Sequence, residues 1–444
     1  MRRLCSLLLV AVVSGMLGTP TAHAAEEEAL DEFLPDVLIV SRPMTPTEEA
    51  KQHVVDAAQL LQDVPLHFTF VRKFGREVLR GRPVMFAAWS NRDKNWHVVE
   101  IEVPFPAPRW RPGGKSIPFR VLTPGFEAEH VRGVGTERLM FQIFRGSERL
   151  PVFGRKYPVI DAAIVKKKGV RTAVELAEIL HYLPQNEDAA PMFIPEGRAM
   201  LKATADAALL ELRNAKQPSF AYPGKLLADT VLPETLVSLA VIEQTDDYEF
   251  ATNPEVALNN TVGQYGLMQL RAFTYSVSTA NAIGPMQFTD RRGRGTYSAV
   301  VRKCAGADLD PDFYLGARDL RNAMKAAACL LDMDMAGMPD DVQRGYQESP
   351  AAVSIFQVAA YNGGGRNASR LLKAVRKFSG GVANLRIPDG PTVSSNNVRC
   401  PCLWLNQGGE ASAVPIPRYN RENMGYVDKY QRFMSMMQST AKPQ

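Results

Sequence analysis

The sequence predicts an α+β multidomain protein. Its 444 residues are enough for two or three domains, and a composition of 45% hydrophobic and 22% charged residues is that of a globular chain, not of a disordered, collagen-like or coiled-coil protein. Between about residues 36 and 165, short β-like runs alternate with turn residues, whereas apolar residues recur at helical spacing from residue 169 onward. We therefore expect a β-rich region followed by a mainly helical one.

Residues 1–24 have the parts of a secretory signal peptide. A basic start at Arg2 and Arg3 precedes an apolar stretch at 7–13, and small residues lead to a cut after Ala24. An uncleaved membrane anchor is the alternative, but the apolar run is shorter than the ~20 residues that a spanning helix needs. We expect an exported protein, periplasmic or secreted, with no integral membrane segment after cleavage.

A β-rich accessory domain is predicted over residues 25–168. Its clearest hairpin joins the apolar run 84–89, through the polar turn 90–93, to the alternating stretch 97–103. Further β-like runs lie at 119–122, 139–144 and 159–165.

A helical connector is predicted over residues 169–230. Apolar residues recur at helical spacing from 174 to 183, and Pro195 followed by Glu196 is typical of a second helix start. The stretch 216–224, with its prolines and glycine, is interpreted as a linker into the last region, residues 231–444.

Charge and histidine placement narrow the chemistry of that last region. The formal charge of +5, over 52 basic and 47 acidic residues, is too balanced to indicate nucleic-acid binding. All six histidines precede residue 182, which excludes a Ser-His-Asp triad or a mixed Cys and His zinc site confined to the second half. Without a phosphate-cradling loop either, we expect chemistry that needs no metal or cofactor and rests on carboxylates, amides and hydroxyls.

Four cysteines follow the signal segment: Cys304, Cys329, Cys400 and Cys402. An even number in an exported chain is consistent with disulfides, and three pairings are open. The most local pairing joins Cys304 to Cys329 and Cys400 to Cys402, although a bridge across one residue would be strained. Free buried cysteines are the alternative, and we favour the Cys304–Cys329 bridge.

One carboxylate stands out in residues 231–444. Pro233 and Glu234 predict a helix start, and Leu236, Leu239 and Glu243 then lie at i, i+3 and i+7. That spacing puts Glu243 at the end of the apolar face, where burial disfavours the charged form and should raise its pKa. A raised pKa suits a general acid, while a merely structural carboxylate is the alternative.

Three downstream segments strengthen the catalytic interpretation. Residues 266–270 (GLMQL) and 282–288 (AIGPMQF) both hold a glutamine among apolar residues after a glycine, and its amide could hydrogen-bond a neutral polar substrate such as a sugar amide. Residues 359–364 (AAYNGG) predict a helix end at which Tyr361 reaches a cleft and Asn362 with Gly363 forms a left-handed cap.

This order of motifs resembles the lysozyme-like soluble lytic transglycosylases, which cleave peptidoglycan. In that family a helix ends in the catalytic glutamate, followed by Gly-Leu-Met-Gln-Leu or Gly-Pro-Met-Gln-Phe and then by Ala-Tyr-Asn-Ala-Gly. A late Glu-Thr-x-x-Tyr-Val is echoed at residues 422–427 (ENMGYV). The resemblance covers residues 231 to about 435 and implies a mainly α lysozyme-like catalytic domain preceded by the accessory domain and connector.

The resemblance also implies roles for individual residues. Glu243 would be the single acid/base, and the implied substrate-binding residues are Gln287, Met286, Gln269, Tyr361 and Asn362. Gln287 is favoured over Gln269, because Ala282 and Gly284 reproduce the family's small residues. The implied partner is the peptidoglycan glycan strand, with a cell-envelope protein as the candidate partner of the N-terminal domain.

The expected reaction breaks the β-1,4 bond between N-acetylmuramic acid and N-acetylglucosamine and closes a 1,6-anhydro ring. A hydrolytic muramidase using Asp246 or Asp247 is one alternative. A catalytically inactive cell-wall-binding or scaffold protein is another, because Gln244 and Thr245 stand where the family usually has serine after its glutamate. Residues 380–417 are interpreted as an insertion before the last helix.

Overall fold

The computed structural model describes residues 44–73, 76–104, 118–130, 141–158, 178–181, 193–274, 276, 278, 282–290, 293–379, 381–385, 402–407, 410–415 and 421–439. The predicted signal peptide therefore lies outside the described residues. Contacts group Met44–Gln444 into one unit. The α+β class is confirmed, since helices and antiparallel sheets are both present, while the finer division into three domains stays a prediction.

A helix that the sequence analysis missed opens the β-rich region. Helix α1 (Pro46–Gln62) begins with a capping box, in which Thr45 accepts a hydrogen bond from the Glu48 N–H and the Glu48 carboxylate accepts one from the Thr45 N–H. Thr45, Pro46 and Glu48 form a local sequence signal for this helix start. The helix was not predicted because the region as a whole has the pattern of strands.

The main sheet has six described strands, all antiparallel, in the order β4-β3-β2-β8-β9 with β1 also paired to β2. Its members are β1 (Thr69–Lys73), β2 (Arg76–Ser90), β3 (Asn95–Pro104), β4 (Arg120–Val121), β8 (Val152–Pro158) and β9 (Glu178–His181). The predicted hairpin is confirmed, with residues 91–94 as its turn. A second sheet contains β5 (Glu127–His130), β6 (Phe141–Arg145) and β7 (Glu148–Leu150).

The helix predicted over 174–183 is wrong where the structure describes it. Residues 178–181 are strand β9, whose backbone pairs with β8 from Pro158↔Glu178 to Arg155↔His181. A short apolar run is compatible with both a helix and a strand. Here the edge of β8 offers backbone hydrogen-bond partners, so the segment forms a strand. The β-like run at 159–165 lies outside the described residues.

A buried lysine fixes α1 on the sheet. Lys156 is 2% exposed, and its Nζ donates to the carbonyl oxygens of Leu61, Gln62 and Val64 at 2.9, 3.0 and 2.6 Å. Leu61 and Gln62 end α1 and Val64 follows it, and at a helix C-terminus a cation is favoured and unpaired carbonyl acceptors need donors. The sheet face beneath is closed by Ala57, Leu61 and other apolar residues.

The second half of the chain is helical, and a single large hydrophobic cluster runs through it. Its helices are α2 (Ile194–Asn214), α3 (Pro233–Ile242), α4 (Asp247–Thr252), α5 (Pro254–Met268), α6 (Thr296–Lys303), α7 (Phe313–Gly316), α8 (Leu320–Ala336), α9 (Asp340–Glu348), α10 (Pro350–Val353), α11 (Ile355–Gly363), α12 (Gly365–Ser379) and α13 (Arg421–Ser439). The predicted starts of α2 and α3 at their prolines are confirmed.

Helices α2 and α5 approach each other closely through glycines. A Cβ at Gly197 would lie 2.0 Å from the Val262 carbonyl oxygen, and one at Gly266 would lie 2.0 Å from the Phe193 carbonyl oxygen. Only glycine fits at both positions. The same region contacts α1, because Ala50 packs with Phe193 in a small apolar cluster.

Two features involve the cysteines. The bridge between Cys304 and Cys329 is confirmed, with Cα atoms 6.4 Å apart, and it ties the end of α6 to α8. Within residues 380–417, β10 (Cys402–Gln407) and β11 (Glu410–Pro415) form a two-stranded hairpin, while Cys400 lies outside the described residues. None of the helices in the described part of the chain is long and apolar enough to cross a membrane.

Candidate active site

Glu243 lies at the C-terminal end of α3. The helix is buried on every side from Thr235 to Ile242, not only along one apolar face as its spacing predicted. Glu243 caps it, donating its backbone N–H to the Leu239 carbonyl oxygen at 3.0 Å, and is only half buried. A partly open carboxyl at the end of a fully buried helix is rigidly held and able to meet a ligand. The raised pKa expected of it stays a prediction.

Tyr426, on α13, contacts this carboxyl directly. Its hydroxyl donates to Glu243 Oε1 at 2.6 Å, a bond between residues 183 positions apart in the chain. Tyr426 is buried, and burial, followed by the charge of Glu243, raises its pKa well above the usual value. The phenol therefore stays a proton donor to Glu243. The motif at residues 422–427 contains Tyr426, but it predicts no role for this residue.

Two more tyrosines lie within the electrostatic influence of Glu243. The Tyr265 hydroxyl donates to the Ala240 carbonyl oxygen at 3.0 Å, and the Tyr361 hydroxyl donates to the Met286 carbonyl oxygen at 2.7 Å. Burial raises the pKa of both tyrosines well above the usual value, with Glu243 as the second cause. Both act as protonated donors that fix backbone near the carboxyl.

The segment 284–288 is held beside Glu243 from two sides. Gln244, the next residue after Glu243, donates its Nε2 to the carbonyl oxygens of Gly284 and Pro285 at 3.1 and 3.0 Å. Tyr361 binds the following carbonyl, at Met286, whose side chain is buried. The structure therefore brings Met286 and Tyr361 together with the Glu243 region.

Gln287 occupies a left-handed backbone conformation with φ of 49°. Its Nε2 donates to the Gly284 carbonyl oxygen at 2.8 Å and to Ser276 Oγ at 3.2 Å, and the side chain is half buried. Positive φ at a residue that is not glycine costs of order 1–3 kcal/mol and persists only where the surroundings enforce it. The contacts of Gln244 and Tyr361 supply that enforcement.

Gln269 has the same local geometry in another setting. Its φ is 52°, and its Nε2 donates to the Gly266 carbonyl oxygen, three residues earlier, as in Gln287. It is exposed at the end of α5, and Leu267 just before it packs with Phe193 and Ala50. Gln244 and Tyr361 contact segment 284–288, and the preference for Gln287 over Gln269 stays a prediction.

The end of α11 presents Asn362 next to Tyr361. Asn362 is half buried, and its Oδ1 accepts a hydrogen bond from Asn423 Nδ2 at 3.1 Å; Asn423 also donates to the Ala359 carbonyl oxygen at 3.0 Å. The left-handed cap predicted at Asn362 and Gly363 is wrong, because the helix continues through both residues and its C-cap, Gly364, has φ 75° and ψ 174°, outside the left-handed helical region. The helix runs through Asn362, since Asn423 supports it from α13.

The residues after Glu243 take other partners. The Thr245 hydroxyl donates to the Val241 carbonyl oxygen at 2.8 Å and lies 3.2 Å from the Thr261 hydroxyl. Buried Lys429 donates to the Thr245 carbonyl oxygen at 2.6 Å and to Asp247 Oδ1 at 2.7 Å. Thr245 thus bonds to the backbone of α3, and Gln244 is the residue that contacts segment 284–288.

Asp246 and Asp247, the carboxylates that a hydrolase could use to activate water, both have other partners in the structure. Asp246 Oδ1 accepts the Glu249 N–H at 3.0 Å, and Asp247 pairs with Lys429. The structure adds Asp334, on α8, whose pKa burial raises to about 7. Its charge also contributes to the raised pKa of Tyr361, so it lies in the same electrostatic neighbourhood. No motif in the sequence indicates Asp334.

Among the residues that the structure describes, no group of three or more His, Cys, Asp or Glu side chains could hold a metal ion. Comparisons with known protein families, with curated protein sequences and with solved structures give no significant match to this chain. A functional assignment therefore depends on the order of the motifs and on the geometry around Glu243.

Proposed function

We propose that this protein is an exported peptidoglycan lytic transglycosylase with Glu243 as its single acid/base. The observation that carries the proposal is the 2.6 Å hydrogen bond from Tyr426 to Glu243 Oε1 at the end of a buried helix. It unites the first and last of the four motifs, which are 183 residues apart. Segment 284–288 adds the second motif through Gln244, the residue after Glu243, and Tyr361 of the third motif bonds to the same segment.

The proposed reaction begins with protonated Glu243 giving its proton to the glycosidic oxygen. The bond from that oxygen to C1 of the muramic acid residue breaks, and the electron pair stays with the leaving oxygen. The substrate's own acetamido carbonyl stabilises the cationic C1. The Glu243 carboxylate then removes the proton of the 6-hydroxyl, whose oxygen bonds to C1, and Glu243 is protonated again for the next turnover.

Each neighbour has a part in this cycle. Tyr426 donates to Glu243 and stabilises its charged intermediate state. Tyr361 and Gln244 hold the backbone that presents Gln287, whose amide group can hydrogen-bond the neutral acetamido and hydroxyl groups of the sugar. No second carboxylate is needed, which agrees with the commitment of Asp246 and Asp247 to other partners.

Hydrolysis is a second candidate, because Asp334 lies near Tyr361. Two carboxyl groups flanking a glycosidic bond can activate water. A carboxyl with a pKa of about 7 is largely protonated at mildly acidic pH, however, and is then a poor water-activating base. This favours the route in which the 6-hydroxyl is the nucleophile.

The assignment is tested by digesting purified peptidoglycan with the wild type, Glu243→Gln and Glu234→Gln. Glu234 lies at the opposite end of the same helix, so the control removes the same charge from α3. We expect anhydro-ended products from the wild type and from Glu234→Gln, and a loss of at least about 100-fold in rate for Glu243→Gln. Absence of product from the folded wild type would support the inactive scaffold instead.

A further inference from the structure

Helix α12 carries a row of exposed cations on one face. Arg366, Arg370 and Lys373 are exposed and lie at i, i+4 and i+7, so they point to the same side; we call these three residues the basic stripe. Lys377 continues the spacing by four more residues. The sequence of the helix contains neither aspartate nor glutamate.

The stripe differs from a single unpaired cation because three like charges share one helix face. Several exposed cations elsewhere pair with acids, as Lys202 does with Asp206 and Arg213 with Asp229. On α12 itself, Arg376 pairs with Asp341. The three stripe residues have no ion pair among the residues that the structure describes.

Helix stability does not account for the stripe. Cations favour the C-terminal end of a helix and disfavour its N-terminal end, and Arg366 and Arg370 lie in the first half of α12. The stripe is also rigidly presented, because Leu371 and Val375 on the opposite face are buried in the main core. A row of like charges kept at an electrostatic cost is best explained by an anionic partner.

The stripe begins close to the candidate active site. Helix α12 follows α11 directly, and Arg366 is only five residues after Tyr361. Five residues of chain separate two Cα atoms by at most about 18 Å. An extended peptide of four or five residues spans about 14–18 Å, so a short peptide attached to a sugar in the cleft can reach the stripe.

We propose that the basic stripe binds the carboxylate-bearing peptide stems of the glycan strand that is cleaved at Glu243. This inference rests on the proposed function and adds a specificity determinant to it. The guanidinium groups of Arg366 and Arg370 match carboxylates in fork geometry, and Lys373 adds a point charge. The stripe would hold stem-bearing strands in register and discriminate against bare glycan.

Binding in the Glu243→Gln background tests the inference without turnover. The triple variant Arg366→Gln/Arg370→Gln/Lys373→Gln is compared with a control, Lys94→Gln/Lys225→Gln/Lys303→Gln, which removes three exposed cations elsewhere. The ligands are stem-bearing peptidoglycan, glycan strands stripped of their peptides, and vesicles of anionic phospholipid. We expect the stripe variant to bind stem-bearing material about five- to tenfold more weakly at low salt, and stripped strands as before. The control should bind all three ligands as the parent does.

Three results would overturn the inference. These are unchanged binding of stem-bearing material by the stripe variant, an equal loss on stripped strands, and a loss confined to the anionic vesicles, which would identify a membrane surface as the partner. Failure of the proposed function is recognised separately, by a wild type that releases no sugars from peptidoglycan. Such a protein can still bind stem-bearing strands more tightly than the stripe variant does. Thermal unfolding of both triple variants confirms that they are folded.

Discussion

The glutamines of the two segments 266–269 and 284–287 share two local features and have very different surroundings. In both, the glutamine has positive φ, 52° or 49°, and its amide donates to the carbonyl of the glycine three residues earlier. The first segment ends a helix and is exposed at Gln269, whereas the second is held by Gln244 and Tyr361 beside Glu243. The shared local features therefore do not distinguish the two glutamines, whereas the contacts to Gln244 and Tyr361 do.

The largest expected effect comes from replacing the glycine of each segment by alanine. A Cβ at Gly284 would lie 1.8 Å from the Ala317 carbonyl oxygen, at a φ of 76°, and one at Gly266 would lie 2.0 Å from the Phe193 carbonyl oxygen. We expect each variant to lose about 3 kcal/mol or more of unfolding free energy. Only Gly284→Ala should also lose activity per folded molecule, as measured by product release normalised to the folded fraction. Equal specific activities would contradict the comparison.

The glutamines give the next largest effect. Gln287→Ala removes the amide that bonds to Gly284 and Ser276 and that is proposed to bind the sugar, and we expect kcat/KM for peptidoglycan cleavage to fall about tenfold. Gln269→Ala makes the same deletion in the first segment and should change kcat/KM by less than about twofold. The reverse order of the two losses would assign the cleft to Gln269.

A smaller effect is expected at the tether of the second segment. Tyr361→Phe deletes the 2.7 Å hydrogen bond to the Met286 carbonyl oxygen, and we expect kcat to fall about three- to tenfold. Tyr222→Phe is the matched control, because its hydroxyl donates to a backbone carbonyl, that of Gln343, at 2.9 Å. A fall in kcat of the same size in Tyr222→Phe would attribute the effect to general stability.

The smallest effect concerns pH. The pKa of Asp334 is about 7 in the folded protein, above its ordinary value of 3.8, so the native state binds more protons than the unfolded state between these values. The free energy of unfolding therefore contains a contribution that is full below about pH 4 and is lost as pH rises toward 7. Asp334→Asn should flatten this dependence in denaturant titrations at several pH values. If the free energy of unfolding of Asp334→Asn changed with pH as it does in the wild type, Asp334 would not be the group that causes this dependence.

Where the determinants are local, the sequence predicted the fold and the site well. Pro233 and the apolar spacing to Glu243 define α3, the polar turn at 90–93 defines a hairpin, and both occur in the structure. Helix α1 was missed although its capping box is local, because the region was interpreted as strands throughout. Strand β9 was taken for a helix, because only the neighbouring edge of β8 selects its conformation.

The parts of the site that sequence reasoning missed depend on distant contacts. Tyr426 reaches Glu243 across 183 residues, and Asn423 reaches Asn362 across 61. Asp334 has no motif around it and becomes notable only through burial near Tyr361. The family resemblance identified the motif that contains Tyr426, but only the fold shows that Tyr426 bonds to Glu243.

The most direct test of the central claim is digestion of peptidoglycan in heavy-oxygen water, with mass analysis of the released sugars. A lytic transglycosylase uses the 6-hydroxyl of its substrate as the nucleophile, so we predict anhydro-ended products that carry no label, and none of them from Glu243→Gln. Reducing-ended products that carry one heavy oxygen would show that the enzyme is a hydrolase. Unlabelled anhydro products at an undiminished rate from Glu243→Gln would contradict the assignment of this carboxylate as the acid/base.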